Sequence, residues 1–123
     1  MTSLHELQVF NLSMTLGEKV WNIVTTWNYF DKDTIGKQLV KSPDSIAANI
    51  SEGFGRYHFL ENKNFCFYAR GSLFETKTWI TKAYQRKLIN DADFETLQIE
   101  MNELGKKLNN YIKTIGKPAK TNT

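Results

Sequence analysis

The chain is short of the residue types that most reactions and most anchors require. It holds one cysteine, Cys66, so no disulfide can close within it. Cys66 together with only two histidines, His5 and His58, cannot assemble a standard zinc site. No apolar run approaches the ~18–20 residues of a membrane span. The N-terminus also lacks the basic-then-apolar order of a signal peptide. These absences predict a cytoplasmic protein with no cofactor, no metal and no membrane partner. Only two prolines, Pro43 and Pro118, interrupt the chain, which leaves long stretches free to be helical. Acidic residues are missing altogether from 77–90 and from 104–123.

What is present fits one domain. A length of 123 residues matches the commonest domain size, and 41% hydrophobic with 24% charged residues is an ordinary soluble composition. The net charge of +3 is mild, but its distribution is uneven. Residues 1–57 carry five bases and six acids, whereas 58–123 carry eleven bases and seven acids. Two readings of the acid-free stretches stand side by side. Lysines toward helix C-termini complement the helix dipole, and clustered lysines also make an electrostatic footprint for nucleic acid. The candidate phosphate contacts are Lys82, Arg86 and Lys87 in one cluster, and Lys106, Lys107 and Lys113 in the other.

Hydrophobic spacing predicts four helices and no strand. The first runs over about 4–27, with Leu7, Phe10, Met14, Val20, Trp21 and Val24 near helical spacing. Asp31 or Asp33 is the expected cap of the second, over about 33–54. Within it, Ser42-Pro43-Asp44 reads as a kink or a fresh start, with Ser42 as N-cap and Pro43 in the first turn. Gly53 and Gly55 should end it through a left-handed C-terminal turn. The third helix, about 60–87, carries a seam of Phe65, Ala69, Ser72, Thr76, Trp79 and Ala83. The fourth follows an Asn90-Asp91-Ala-Asp93 cap with Phe94, Leu97, Met101, Leu104, Leu108, Tyr111 and Ile115. Gly116 and Pro118 stop it. Short connections between long amphipathic helices predict an antiparallel, up-down-up-down four-helix bundle over 1–116, followed by a disordered basic tail over 117–123.

Candidate chemistry is sparse. Gly53-Phe-Gly55-Arg-Tyr-His58 begins like a dinucleotide fingerprint, lacks its third glycine, and ends a helix instead of opening one. Cys66 beside Phe65 and Phe67 reads as a buried inert thiol. Ser45, Asn49, Glu52 and Arg56 fall within an arc of about 60° on one helix face, beside Ile46, Ile50 and Phe54. With Gly71, Ser72 and Glu75 on the next helix they form a candidate polar seam, more consistent with setting helix register than with acid–base catalysis. The aromatic residues exceed what one narrow core holds. Phe67 and Phe74 stand off the seam of the third helix, seven apart, and are the candidate oligomer interface.

The joint pattern Gln38-Leu39-x-x-Ser42-x-x-Ser45-Ile46-x-x-Asn49-Ile50-x-Glu52-Gly53-x-Gly55-Arg56, then Ala69-x-Gly71-Ser72-x-x-Glu75, resembles the S23-like four-helix bundle proteins of the ribosomal RNA intervening-sequence family. The resemblance covers nearly the whole chain; Pro43 departs from it. The family is itself similar to the accessory protein of diversity-generating retroelements, a barrel-shaped homopentamer that binds nucleic acid and a protein partner. The resemblance therefore implies a non-catalytic homo-oligomer, a pentamer, that binds RNA or DNA or adapts a protein partner. A purely structural interaction module is the alternative. An enzyme built on Glu52 and Glu75 lacks a nucleophile, a metal and a phosphate loop.

Overall fold

Apolar residues at helical spacing fold into α1 (Gln8–Val24), α2 (Lys37–Phe54), α3 (Phe59–Gln85) and α4 (Asp91–Thr114). The computed structural model describes residues 2–117, so all but the first residue of the tail expected at 117–123 lies outside it. The described residues contain no strand.

Pairs across the helix contacts fix the directions. Gly17 meets Asp44 while Val24 meets Gly36, so the chain descends α1 as it ascends into α2. Ser42 faces Thr76 while Gly53 faces Asn62 and Phe65. Arg70 reaches Asn109 and Lys77 reaches Asn102. Lys19 pairs with Glu100 while Leu7 and Tyr111 line one groove, which closes α1 against α4. Every neighbouring pair is antiparallel and each helix packs on two others, the up-down-up-down ring that the short connections require. Leu16, Val20, Leu39, Ile46, Ile50, Leu73, Ile80, Leu97, Met101, Leu104 and Leu108 fill its centre.

The ends of the helices depart from the sequence reading in instructive ways. Helix α1 begins after a short 3-10 turn over Leu4–Glu6, and its start has no side-chain cap. The second helical stretch is capped by Asn28, whose side chain accepts from the Asp31 N–H at 2.9 Å, and neither Asp31 nor Asp33 serves as the cap. A helical turn at Tyr29–Asp31 and a π-helical stretch at Lys32–Gly36 then run directly into α2. No restart occurs at Pro43. The helix passes through it, and Ser42 is buried in the helix interior instead of capping a new one. Leu39, Ile46, Ala47 and Ile50 are buried on either side. At about 1.5–3 kcal/mol for each large side chain, their burial outweighs the ~3 kcal/mol that an interior proline costs.

Gly53 and Gly55 also act differently from expectation. Gly55 has φ −77°, an ordinary right-handed value. Gly53 is buried, and a Cβ there would lie 2.8 Å from Asn62 and 2.9 Å from Phe65, so glycine is needed for the close approach of α2 to α3. The left-handed C-terminal glycine is Gly116, with φ +81°. The Asn90 cap of α4 forms as expected, accepting from Asp93 N–H at 2.7 Å. Trp27 ties the end of α1 to the α3–α4 turn by donating its indole N–H to the Leu88 carbonyl at 3.0 Å.

The packing makes two measurable demands. Ser42 and Thr76 are both buried, their hydroxyls 3.0 Å apart, and Thr76 Oγ1 lies 2.8 Å from the Ser72 carbonyl. One hydroxyl proton of the pair serves that carbonyl and the other closes the pair. Thr76→Val strands the Ser42 hydroxyl and should cost about 1–3 kcal/mol in urea denaturation; the Ser42→Ala, Thr76→Val double variant should cost less than the two singles together. Asp44 packs over Gly17 with its carboxyl held above the ordinary carboxylate range, first by partial burial and then by the Glu18 charge. A raised folded-state pKa means that the charged form opposes folding at neutral pH, and the opposition fades as pH falls through that value. Asp44→Asn should therefore raise the melting temperature at pH 7 and lose that advantage in acid.

Candidate functional site

Helix α3 explains why the aromatic residues outnumber the places in the core. Its buried row is Cys66, Ala69, Leu73, Thr76, Ile80 and Ala83, one position along from part of the seam read in the sequence. Phe65, Ser72 and Trp79 are only half-buried. The opposite stripe, Phe67, Gly71 and Phe74, faces outward, with Phe67 42% and Phe74 60% exposed. A cation covers one face of each ring: Arg70 stands 4.9 Å from the Phe67 centroid and Lys77 5.2 Å from that of Phe74. Both cations also bridge to α4, Arg70 to Asn109 Oδ1 at 3.2 Å and Lys77 to Asn102 Oδ1 at 3.4 Å. The unit of phenylalanine, cation and asparagine thus occurs twice, about 10.5 Å apart along α3. Lys106 joins the same α3–α4 groove, which has no acidic lining.

The sequence-predicted bases fall in different settings. Lys82, Arg86 and Lys87 are exposed where α3 ends, and Lys87 takes φ 62° in the turn, a position that glycine more often fills. Lys106 and Lys113 are exposed along α4, while Lys107 is half-buried and 3.7 Å from Glu103. Lys106 is therefore grouped with Arg70 and Lys77, not with Lys107 at a bundle end. Sequence reasoning passed over Arg70 and counted Lys77 only as a member of the acid-free stretch 77–90; the repeated Phe-x-x-cation spacing was the signal for their pairing with Phe67 and Phe74.

The polar seam is present as a surface row, and of its residues on the α2 side only Arg56 makes a contact with α3. Ser45 donates to the Lys41 carbonyl at 2.9 Å and Asn49 to the Ser45 carbonyl at 2.8 Å, both within α2. Glu52 is exposed and pairs with Arg56 at 2.6 Å. Arg56 also approaches Glu61 at 3.7 Å and stands over the Phe65 ring at 4.9 Å. Glu75 is exposed and accepts from the Trp79 indole at 3.2 Å. Ser45, Asn49, Glu52 and Glu75 thus find partners one turn away in the sequence, and Arg56 alone reaches across to α3. The buried polar contact between the helices is Ser42 with Thr76, one row further in. Gly71 meets nothing within 4 Å of where a Cβ would stand, so it serves no close approach inside the protomer.

The candidate nucleophile and the candidate metal ligands stand apart from one another among the described residues. Cys66 is buried, and burial pushes its thiol up to about 11. No group of three or more His, Cys, Asp or Glu side chains that could hold a metal occurs among the described residues, and no helix among them is long and apolar enough to cross a membrane.

A bundle of this shape has known relatives. Residues 5–110 match the family model of the 23S rRNA-intervening sequence protein, and the chain belongs to that family. Its fold is similar to the crystal structure of a protein of unknown function from the S23 ribosomal protein family of Bacteroides thetaiotaomicron. The TM-score is 0.76 at 23% identity, covering 86% of this chain and 99% of that one. No curated protein matches the chain.

Cys66 supplies a direct check on the core. A neutral, buried thiol should not react with an aromatic disulfide reagent at pH 8 in the folded protein and should react fully in denaturant. Rapid labelling of the native protein would contradict the packing described.

Proposed function

We propose that the protein is a non-catalytic, self-associating helical scaffold whose basic surface binds RNA or DNA without reading sequence. The observation that carries the self-association is Gly71. A glycine inside a helix costs about 1 kcal/mol relative to alanine. This one lies mid-helix, exposed, with open space where its side chain would be. Nothing among the described residues requires it. Flanked on one stripe by Phe67 and Phe74, it leaves a notch where the backbone or a large side chain of another copy can approach between two aromatic rings. The resemblance to the intervening-sequence family supplies the number of copies, five. Assembly also magnifies charge, because a ring of copies repeats Lys82, Arg86 and Lys87, and Lys106 and Lys113, around one axis.

A second reading has its own support. Lys82 lies in the last turn of α3 and Lys113 in the last turn of α4, where a cation complements the helix dipole without any ligand. On that reading the protein is an interaction module with no nucleic-acid partner.

Light scattering should find five copies of the wild type at micromolar concentration. Gly71→Glu should yield folded monomers, with helix content unchanged by circular dichroism. A monomeric wild type contradicts the scaffold, and so does a Gly71→Glu variant that still assembles. For nucleic acid, replacing Lys82, Arg86 and Lys87 with Gln should lower affinity to a similar extent for unrelated sequences. It should also flatten the salt dependence by ~0.7–0.9 in log–log slope for each phosphate that the variant no longer neutralises. Absence of wild-type binding to RNA and DNA at low salt would establish the interaction module instead.

A further inference from the structure

The α1–α2 side of the ring, opposite the α3–α4 groove, carries a second surface that neither the scaffold nor the nucleic-acid reading uses. Where α1 ends, Trp21 and Val24 face the π-helical stretch and Val40 of α2 across an open groove of about 460 Å³. Its floor is almost wholly apolar. Val24 is buried, Val40 half-buried, and Trp21, at 52% exposed, forms one wall. Gly36 shapes the floor, since a Cβ there would lie 2.9 Å from the Asp31 carbonyl oxygen and 3.0 Å from Val24 Cγ1. The rim holds Lys32, Lys37 and Lys41 and no acid. Lys37 is already paired with Asp33 at 2.6 Å. Lys32 and Lys41 have no acidic partner within 4 Å among the described residues.

We propose that this groove is a docking site for an acidic segment of a partner protein that carries one bulky apolar side chain. The apolar side chain would lie against Trp21, Val24 and Val40, and carboxylates flanking it would meet Lys32 and Lys41. Charge complementarity gives the sign of the partner. The two lysines hold unpaired charge beside an apolar floor, so a carboxylate placed there gains a partner that the protomer does not provide. The shape gives its kind. An enclosed pocket covers most of a small ligand's surface, whereas this groove is open along one side and suits one anchor side chain on a longer chain. A nucleic-acid strand fits less well, because the lysines flank one apolar notch and do not form a track several nucleotides long. The acidic segment is also confined to this end of the seam. Glu18 and Asp44 lie one helical turn further along and would repel it there. The π-helical stretch belongs to the site, since it places Lys32 and Gly36 on the face that looks toward Trp21; such irregular turns recur at functional sites.

The test uses the full chain, ¹⁵N-labelled, titrated with a short acetylated peptide in which glutamates flank a Leu-Phe pair. Expected is a saturable shift of the Trp21 indole N–H and of the Gly36 and Val40 amides, with the Lys106 and Lys113 amides unmoved. Lys32→Glu with Lys41→Glu, at exposed positions that leave the fold intact, should weaken binding at least ~tenfold. Lys106→Glu should leave it unchanged. Four results overturn the proposal: no saturable shift, equal binding of the peptide with lysines in place of its glutamates, binding of dodecyl phosphate or oligothymidylate at these residues without binding of the acidic peptide, or a change in oligomeric state on Lys32→Glu with Lys41→Glu. The last result would make the groove a contact between copies. Loss of nucleic-acid binding by the Lys82, Arg86 and Lys87 variant would leave this proposal untouched.

Discussion

The buried hydroxyl pair of Ser42 and Thr76 is the constraint on which the arrangement of surfaces depends. A buried polar group without a partner is costly. Only one alignment of α2 against α3 puts these two hydroxyls 3.0 Å apart with the Ser72 carbonyl beside them. The same alignment places Gly53 where α3 approaches α2 at Asn62 and Phe65. With the register set, the rotation of α3 is set too. Cys66, Leu73 and Ile80 turn inward, and Phe67, Gly71 and Phe74 have nowhere to go but out. Sliding one helix by a turn would break the pair and bring a Cβ-bearing residue to the place of Gly53.

Apolar material outside the core therefore follows from packing and is not surplus. Four helices of this length enclose one central row from each, and α3 has two apolar rows. The second row is interrupted by a glycine and edged by Arg70 and Lys77, which lie on its rings and hold Asn109 and Asn102 of α4. Cations laid on aromatic faces keep an exposed phenylalanine soluble in a free protomer while leaving its other face open. On the opposite side of the ring, the Trp21 groove combines the same ingredients, an aromatic wall with lysines at its edge.

The overall fold was legible because helical periodicity is a strong local signal. The row from Leu97 through Leu108 in α4 is buried at the spacing read in the sequence. The Asn90 cap and the stop of α4 at Gly116 were legible for the same reason, as each rests on neighbouring residues alone. What failed depended on competition that the sequence does not display. Ser42-Pro43-Asp44 read as a kink or a fresh start, and the restart did not occur because burial on both sides carried the helix through. Asn49 and Glu52 looked like bridges to α3, but a carbonyl one turn back, for Asn49, and the Arg56 guanidinium just past the end of α2, for Glu52, satisfied them first. Gly71 looked like a contact with the facing helix, but no described residue lies within 4 Å of where its Cβ would stand. Under the proposed scaffold its meaning changes from packing within the protomer to contact between copies.

That change of meaning is the central claim, and hydroxyl-radical footprinting over a dilution series tests it most directly. Phe67, Phe74 and Tyr57 are all solvent-accessible in the single chain, Tyr57 at 91% exposure. If the outer face of α3 is a contact between copies, Phe67 and Phe74 should resist oxidation at high protein concentration and become reactive on dilution, while Tyr57 stays reactive throughout. Oxidation of Phe67 and Phe74 at the same rate at every concentration would contradict it.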